Sequence, residues 1–168
     1  MFDNVTMRAR DLEASRRFYA LAAAPAALVL EAADEPTQRL HIAFAVPGRA
    51  AVDAWWRALV DAGYTSDGEP GPRQYNETYY GAFVLDPDGN SVEAVHHAGS
   101  GPSGIDHLWL RTSDLSAARA LFADVRGVAV RRETPERLTF GFDDRVGSFS
   151  FVPGEPATRN VRLGAVWV

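Results

Sequence analysis

The chain has 168 residues, 46% of them hydrophobic and 23% charged, and a net charge of −5. This composition is typical of a folded domain and excludes a disordered chain. The chain has no cysteine, which excludes disulfides and thiolate metal sites. Its basic residues are all arginine and are scattered, so the sequence does not form the clustered positive face that nucleic acids require.

Targeting and membrane signals are also missing from the sequence. No apolar run approaches the roughly 20 residues of a membrane span. The first residues, Met1 to Asn4, do not have the charged and then apolar order of a signal peptide. We therefore expect a cytoplasmic protein with neither a nucleic-acid nor a membrane partner.

The chain begins with a strand and a helix that recur later in the sequence. Residues 2–12 align without a gap on residues 105–115, and four positions are identical: Asp3/Asp106, Arg8/Arg111, Asp11/Asp114 and Leu12/Leu115. Each copy alternates apolar and polar residues and then reaches an aspartate that suits a helix N-cap. The first helix is predicted to bury Ala14, Phe18 and Leu21.

A fuller unit occupies the middle of the chain. About 15 residues separate the first helix from it, which leaves room for one strand, predicted at residues 27–31. The unit itself is predicted to have a strand at 40–46, a helix at 49–62 with Trp55 and Trp56 on its apolar face, a turn-rich stretch at 66–76, and strands at 79–85 and 91–96.

The last part of the chain follows a Gly/Ser-rich linker at residues 98–104. Short strands are predicted at residues 128–132, 138–142, 148–152 and 161–168. We therefore divide the chain into residues 1–97, the linker 98–104 and residues 105–168. The first division contains a clipped module, 1–38, and a full module, 39–97.

Three side chains stand out as candidates for chemistry. His41 and His107 lie on strands, opposite the large aliphatic residues, in a pattern typical of a lined cavity and equally typical of a solvent-facing or hydrogen-bonded histidine. Glu93 lies inside an apolar strand, where a carboxylate is costly unless it is paired or ligated. The alternative for Glu93 is an exposed face of the sheet.

The residues of three segments resemble a known family. Asp3 to Thr6, residues 10–19 (RDLEASRRFY) and residues 79–95 (YYGAFVLDPDGNSVEAV) are similar to the vicinal oxygen chelate superfamily. This superfamily includes glyoxalase I, bleomycin-resistance proteins, fosfomycin-resistance enzymes and extradiol dioxygenases. The resemblance implies an α+β fold in which βαβββ modules form a cupped mixed β-sheet, here with a truncated first module.

The same resemblance implies a metal site built from histidine and glutamate. His41 matches the family's first-strand histidine and Glu93 its last-strand glutamate, whereas Asn4 stands where another histidine is usual. His107 aligns with Asn4 in the internal repeat, so either residue could complete the site if the last module pairs with the middle one. The implied cofactor is a divalent metal (Fe, Mn, Ni or Zn), and no organic cofactor is indicated.

Six further residues are candidates for a substrate pocket. The two arginines among them could bind an anionic substrate or form surface ion pairs, and the aromatic residues could line the pocket or pack on the sheet. His97 we interpret as structural or exposed. The candidates are Arg8, Trp109, Arg111, Tyr75, Tyr79 and Tyr80.

Two functions remain open from the sequence. The first is a divalent-metal-dependent enzyme of the lyase, isomerase or dioxygenase type, acting on a substrate with vicinal oxygens, with no catalytic residue assigned. The second is a metal-free protein that binds a small molecule, as antibiotic-resistance proteins do; a protein-interaction domain is favoured only if the protein has no cavity. We also expect a homodimer, because an unpaired module leaves a sheet edge to be covered.

Overall fold

The computed structural model describes residues 2–75, 77–98, 103–125, 127–141 and 148–165. The elements in chain order are β1 (Phe2–Ala9), α1 (Leu12–Leu21), β2 (Leu28–Ala32), β3 (Leu40–Ala45), α2 (Arg49–Asp61), β4 (Ser66–Pro72), β5 (Tyr80–Leu85), β6 (Ser91–His96), β7 (Gly104–Thr112), α3 (Leu115–Arg119), β8 (Val130–Thr134), β9 (Arg137–Phe140), β10 (Ser148–Pro153) and β11 (Val161–Ala165). The five-residue helix α3 continues as a π-helical turn at Ala120–Val125.

Eight strands form one mixed sheet in the order β4-β5-β6-β3-β7-β10-β9-β8. In each half of the sheet, the first strand in sequence pairs in parallel with the last: β3 with β6, and β7 with β10. The two halves join where β3 runs antiparallel to β7. The sheet therefore consists of two βαβββ modules joined through their first strands, which confirms the predicted α+β fold.

The remaining three strands repeat the centre of this large sheet. Their order is β11-β1-β2, with β1 parallel to β2 and antiparallel to β11. In the large sheet, β3 makes the same two pairings, parallel with β6 and antiparallel with β7. The first module therefore retains its first and last strands without the two between them, as expected for a truncated module, and β11 takes the place of a partner's first strand.

The main core lies between the helices and the sheets. Phe18 of α1 is fully buried and contacts Tyr19 and Tyr64 edge-on, with ring centroids 4.9 Å apart in both pairs. Trp55 of α2 is also buried, and its indole N–H donates to the Ala22 carbonyl oxygen. Trp56 is only half-buried and donates to the Ser66 hydroxyl.

One predicted loop is a strand. The prediction for residues 66–76 was wrong over Ser66–Pro72, which pairs with β5 and shifts register near Gly68 and Gly71. Glycine allows this close pairing, because a Cβ at Gly68 would lie 2.9 Å from the Phe83 ring. The prolines are tolerated because β4 is an edge strand.

A second correction concerns α1. Leu21 was predicted to be buried, but it is 43% exposed. Tyr19 is buried instead, and its hydroxyl donates to Asp86 at 2.8 Å. The periodicity located the helix correctly and assigned its last turn to the wrong face.

Several expectations lie wholly or partly beyond the described residues. These are the middle of the linker at 98–104 and the strand ends expected at Phe142 and Val168. Across the described part of the chain, no helix is both long and apolar enough to span a membrane. The homodimer stays a prediction.

The contrast between Phe18 and Leu21 tests the packing of α1. Phe18→Ala is expected to lower the free energy of unfolding by about 3–5 kcal/mol, because it leaves a cavity in the core. Leu21→Ala is the matched control on the same helix, and a change of about 0.5 kcal/mol or less is expected for this exposed side chain. Urea denaturation followed by circular dichroism measures both, and equal losses would contradict the assignment of the buried face.

Candidate metal centre

Three candidate ligands converge on the face of the large sheet that lies away from α2. His41, Glu93 and His107 belong to β3, β6 and β7, which are adjacent strands in the order β6-β3-β7. His41 Nε2 lies 3.1 Å from Glu93 Oε2 and 3.3 Å from His107 Nε2, and His107 Nε2 lies 3.5 Å from the same Glu93 oxygen. The hypothesis that the last module supplies a histidine to the middle one agrees with this arrangement.

Strand alternation and register explain why these side chains meet. In β3, Leu40, Ile42 and Phe44 are buried in the core, so His41 faces the opposite side of the sheet. Ala43, two residues farther along, pairs with both Glu93 and His107. A small residue at the centre of the three strands leaves space for the larger side chains around it.

The hydrogen bonds of His107 fix the position of its ring proton. His107 Nδ1 lies 2.8 Å from Asp106 Oδ1. A carboxylate can only accept, so Nδ1 carries a proton, which leaves Nε2 as the atom that can bind a metal. Asp106 also contacts His97 Nε2 at 3.1 Å. Burial alone would raise the pKa of Asp106, but its hydrogen bonds to the two histidines outweigh burial and lower it.

His41 has a similar chain of partners on its other side. Ser91 donates its hydroxyl proton to Asp67 at 2.7 Å, which leaves the serine oxygen to accept from His41 Nδ1 at 3.3 Å. With its proton on Nδ1, His41 can present the Nε2 lone pair to a cation; without a cation, Nε2–H donates to the Glu93 carboxylate at 3.1 Å. Burial lowers the pKa of His41, despite the opposing hydrogen bond to Glu93, and so favours the neutral ring.

When both rings hold their protons on Nδ1, two nitrogen lone pairs and a carboxylate oxygen face one another. Such an arrangement is repulsive by itself and is stabilised by a cation at its centre. With metal–ligand bonds of about 2.1 Å, tetrahedral or neighbouring octahedral ligands lie about 3.0–3.4 Å apart, close to the observed spacings. The three side chains therefore fit a divalent metal that accepts nitrogen and oxygen ligands.

The second carboxylate oxygen of Glu93, Oε1, also has a hydrogen-bond partner. The Tyr79 hydroxyl donates to Glu93 Oε1 at 2.8 Å. Burial is the main cause that raises the pKa of Tyr79, so the phenol stays protonated and remains a donor. Gly81 is required beside the carboxylate, because a Cβ there would collide with Glu93 Oε1. His97 stacks on Tyr79 with ring centroids 5.5 Å apart and rings nearly parallel.

Two cavities adjoin the centre. The inner one has a volume of about 230 Å³, contains the three candidate ligands and has aromatic walls formed by Tyr75, Tyr79, Phe83 and Trp109. The outer one has a volume of about 650 Å³. Both are bordered by the same four residues: His41, Asp67, Ser91 and Trp109. The outer cavity is therefore adjacent to the inner one.

The structure brings together most of the residues that the sequence singled out. Tyr75, Tyr79 and Trp109 line the inner cavity, and Arg111 lines the outer one. Asn4 and Arg8 lie instead on β1 in the three-stranded sheet.

Tyr80 is likewise not among the residues that line either cavity. Its hydroxyl donates to Asp53 of α2, on the helical side of the sheet.

Sequence reasoning missed the residues that hold the histidines. Asp106 and Ser91 contact the Nδ1 atoms of His107 and His41, and Asp67 in turn orients Ser91. His97, interpreted above as structural or exposed, joins this set through Asp106. The only signal in the sequence was the identity of Asp106 with Asp3 in the repeat, which says nothing about its partner.

The sequence matches one family model and no curated protein. Residues 23–94 match the model of the Glyoxalase/Bleomycin resistance protein/Dioxygenase superfamily. A search of curated proteins returned no match.

Solved structures share the fold. Glyoxalase I from Zea mays superposes with a TM-score of 0.69 at 17% identity, covering 98% of this chain and 72% of that one. A mutant of the same maize enzyme gives 0.70 at 17% identity with the same coverage. Methylmalonyl-CoA epimerase from Streptomyces coelicolor gives 0.46 at 16% identity, covering 71% of this chain and 95% of that one.

The proton positions can be tested by nitrogen-15 NMR of the chelator-treated protein. At neutral pH, His107 should carry a proton on Nδ1, donated to Asp106. His41 should titrate below the ordinary histidine pKa because it is buried, and His97 above it because it is hydrogen-bonded to Asp106. A His107 ring without a proton on Nδ1 would contradict the hydrogen bond to Asp106.

Proposed function

We propose that the chain is a divalent-metal-dependent enzyme of the Glyoxalase/Bleomycin resistance protein/Dioxygenase superfamily, whose model matches residues 23–94 and whose members include structures with this fold. Its substrate is a small molecule that offers two neighbouring oxygen atoms to the metal. The observation that carries the proposal is the convergence of His41 Nε2, His107 Nε2 and the Glu93 carboxylate on one point.

The two modules contribute unequally to this centre. In the middle module, Ala43 of the first strand pairs with Glu93 of the last strand. In the last module, the equivalent pair is Trp109 with Ser150. Ser150 therefore occupies the position that corresponds to Glu93. Ser150 is buried and hydrogen-bonded to Thr139 at 2.8 Å. Three protein ligands therefore leave positions open for a chelating substrate.

The ligand set favours one type of reaction. Two histidines and one carboxylate with open positions are typical of non-haem iron(II) enzymes that use dioxygen. Of the lyase, isomerase and dioxygenase types, we therefore favour the dioxygenase type with iron(II).

The chain's own residues hold the ligands and shape the substrate site. Asp106 and Ser91 accept hydrogen bonds from the Nδ1 atoms and so orient both Nε2 atoms towards a metal, and Tyr79 orients Glu93. Tyr75 and Trp109 pack edge-on, with ring centroids 5.7 Å apart, and present apolar surface that displaces water from a planar substrate. A bound metal would polarise the substrate oxygens as a Lewis acid.

Metal content tests the proposal directly. Wild-type protein purified without chelators should bind one equivalent of divalent metal per chain. His41→Ala, Glu93→Gln and His107→Ala should each weaken that binding roughly 100-fold or more, because each removes a ligand. Elemental analysis after dialysis and calorimetric titration measure the loss.

Asn4→Ala is the matched control, since Asn4 lies at the repeat position of His107 in the other sheet. It should keep full metal content. Equal metal content in wild type and His107→Ala would refute the ligand set. A metal-free wild type that binds small molecules in its cavity would favour the alternative, a metal-free binding protein.

The support of Glu93 can be tested separately. Tyr79→Phe removes one hydroxyl and with it the hydrogen bond to Glu93, so metal affinity should fall about tenfold while the fold is retained. Tyr75→Phe is the control, because the Tyr75 hydroxyl has no hydrogen-bond partner within the described ranges of the chain. An equal effect of the two substitutions on calorimetric affinity would contradict the role of Tyr79.

A further inference from the structure

Two arginines stand side by side at the border of the outer cavity. Arg39 immediately precedes Leu40, which pairs with Leu110, and Arg111 immediately follows Leu110. The two side chains therefore extend from the same end of neighbouring strands, and both line the outer cavity. Like charges in such positions repel each other unless an anion lies between them.

Nothing in the described parts of the chain neutralises this pair. Neither guanidinium has an ion-pair partner or a side-chain hydrogen bond among the described residues. Asp67 is the carboxylate that lines the same cavity; it forms no ion pair with either arginine, and one carboxylate against two arginines leaves a net positive charge. The positive charge is thus available to a ligand.

The backbone holds the two arginines in place. Thr158 accepts from the Arg111 N–H and donates its hydroxyl proton to the Arg39 carbonyl oxygen, both at 2.7 Å. Arg39 has a φ of 60°, which a non-glycine residue rarely adopts without support from its surroundings. One residue of the segment after β10 therefore fixes both arginine backbones.

We propose that Arg39 and Arg111 form a subsite for an anionic oxygen group of the substrate, a carboxylate or a phosphate. This assignment rests on the proposed function, in which the two neighbouring oxygens at the other end of the substrate bind the metal. Arg111 follows His107 by four residues on one strand, about 13 Å along β7. The substrate is therefore an elongated anion, with its charged end in the outer cavity and its chelating end in the inner one.

A matched pair of probes tests the subsite: 3-(3,4-dihydroxyphenyl)propanoate and its methyl ester. Both carry the same neighbouring oxygens, and only the acid is charged. Wild type should bind the acid at least about tenfold more tightly than the ester, because charge-assisted hydrogen bonds to arginine are strong. The Arg39→Gln/Arg111→Gln double variant should lose this preference and keep its affinity for the ester.

Arg8→Gln is the control, because Arg8 occupies the repeat position of Arg111 in the three-stranded sheet. It should bind both probes as wild type does. A wild type without preference for the acid, whether through equal binding or no binding, would overturn the subsite, as would a preference that survives the double variant.

The same titrations separate this subsite from the metal proposal. They are carried out on metal-loaded and on chelator-treated protein. Affinity for the ester that does not depend on metal would count against the metal centre, whereas a retained preference for the acid would still support the arginine subsite.

Discussion

The antiparallel pairing of β3 with β7 is the contact on which the candidate site depends. It joins two modules through their first strands and brings His41 and His107 within hydrogen-bond distance of each other. Glu93 reaches the same point because β6 pairs with β3 on the other side. Backbone hydrogen bonds across three strands thus set the spacing of the side chains, independently of any ion. Such a preformed site loses little conformational entropy when it binds a ligand.

The buried charge of Glu93 connects the stability of the sheet with its chemistry. A carboxylate that is 1% exposed is costly unless it has polar partners, and here Tyr79, His41 and His107 surround it. The two histidines can serve Glu93 as hydrogen-bond donors or, with their protons on Nδ1, join it as ligands of a cation. The residues that stabilise the buried carboxylate are therefore also the candidate ligands.

Residue type and repetition were enough to predict much of the site. Glu93 in an apolar strand indicated a partner, and the alignment of His107 with Asn4 suggested a second histidine. The choice between Asn4 and His107 depends on which modules pair, and pairing between distant strands leaves no local signal. The roles of Asp106 and His97 likewise arise from contacts across the sheet. The strand at Ser66–Pro72 was missed because glycine and proline, common in turns, are also tolerated at an irregular sheet edge.

The three-stranded sheet repeats the strand pairings at the centre of the large sheet without its candidate ligands. Asn4 lies directly over Gly164 of β11, where a side chain on the partner strand would otherwise stand. The pairings that bring three candidate ligands together in the large sheet here place the Asn4 amide against the backbone of Gly164. Within the described residues, His41, Glu93 and His107 are the one group of three candidate ligands, so metal titration of each chain should follow a single-site isotherm.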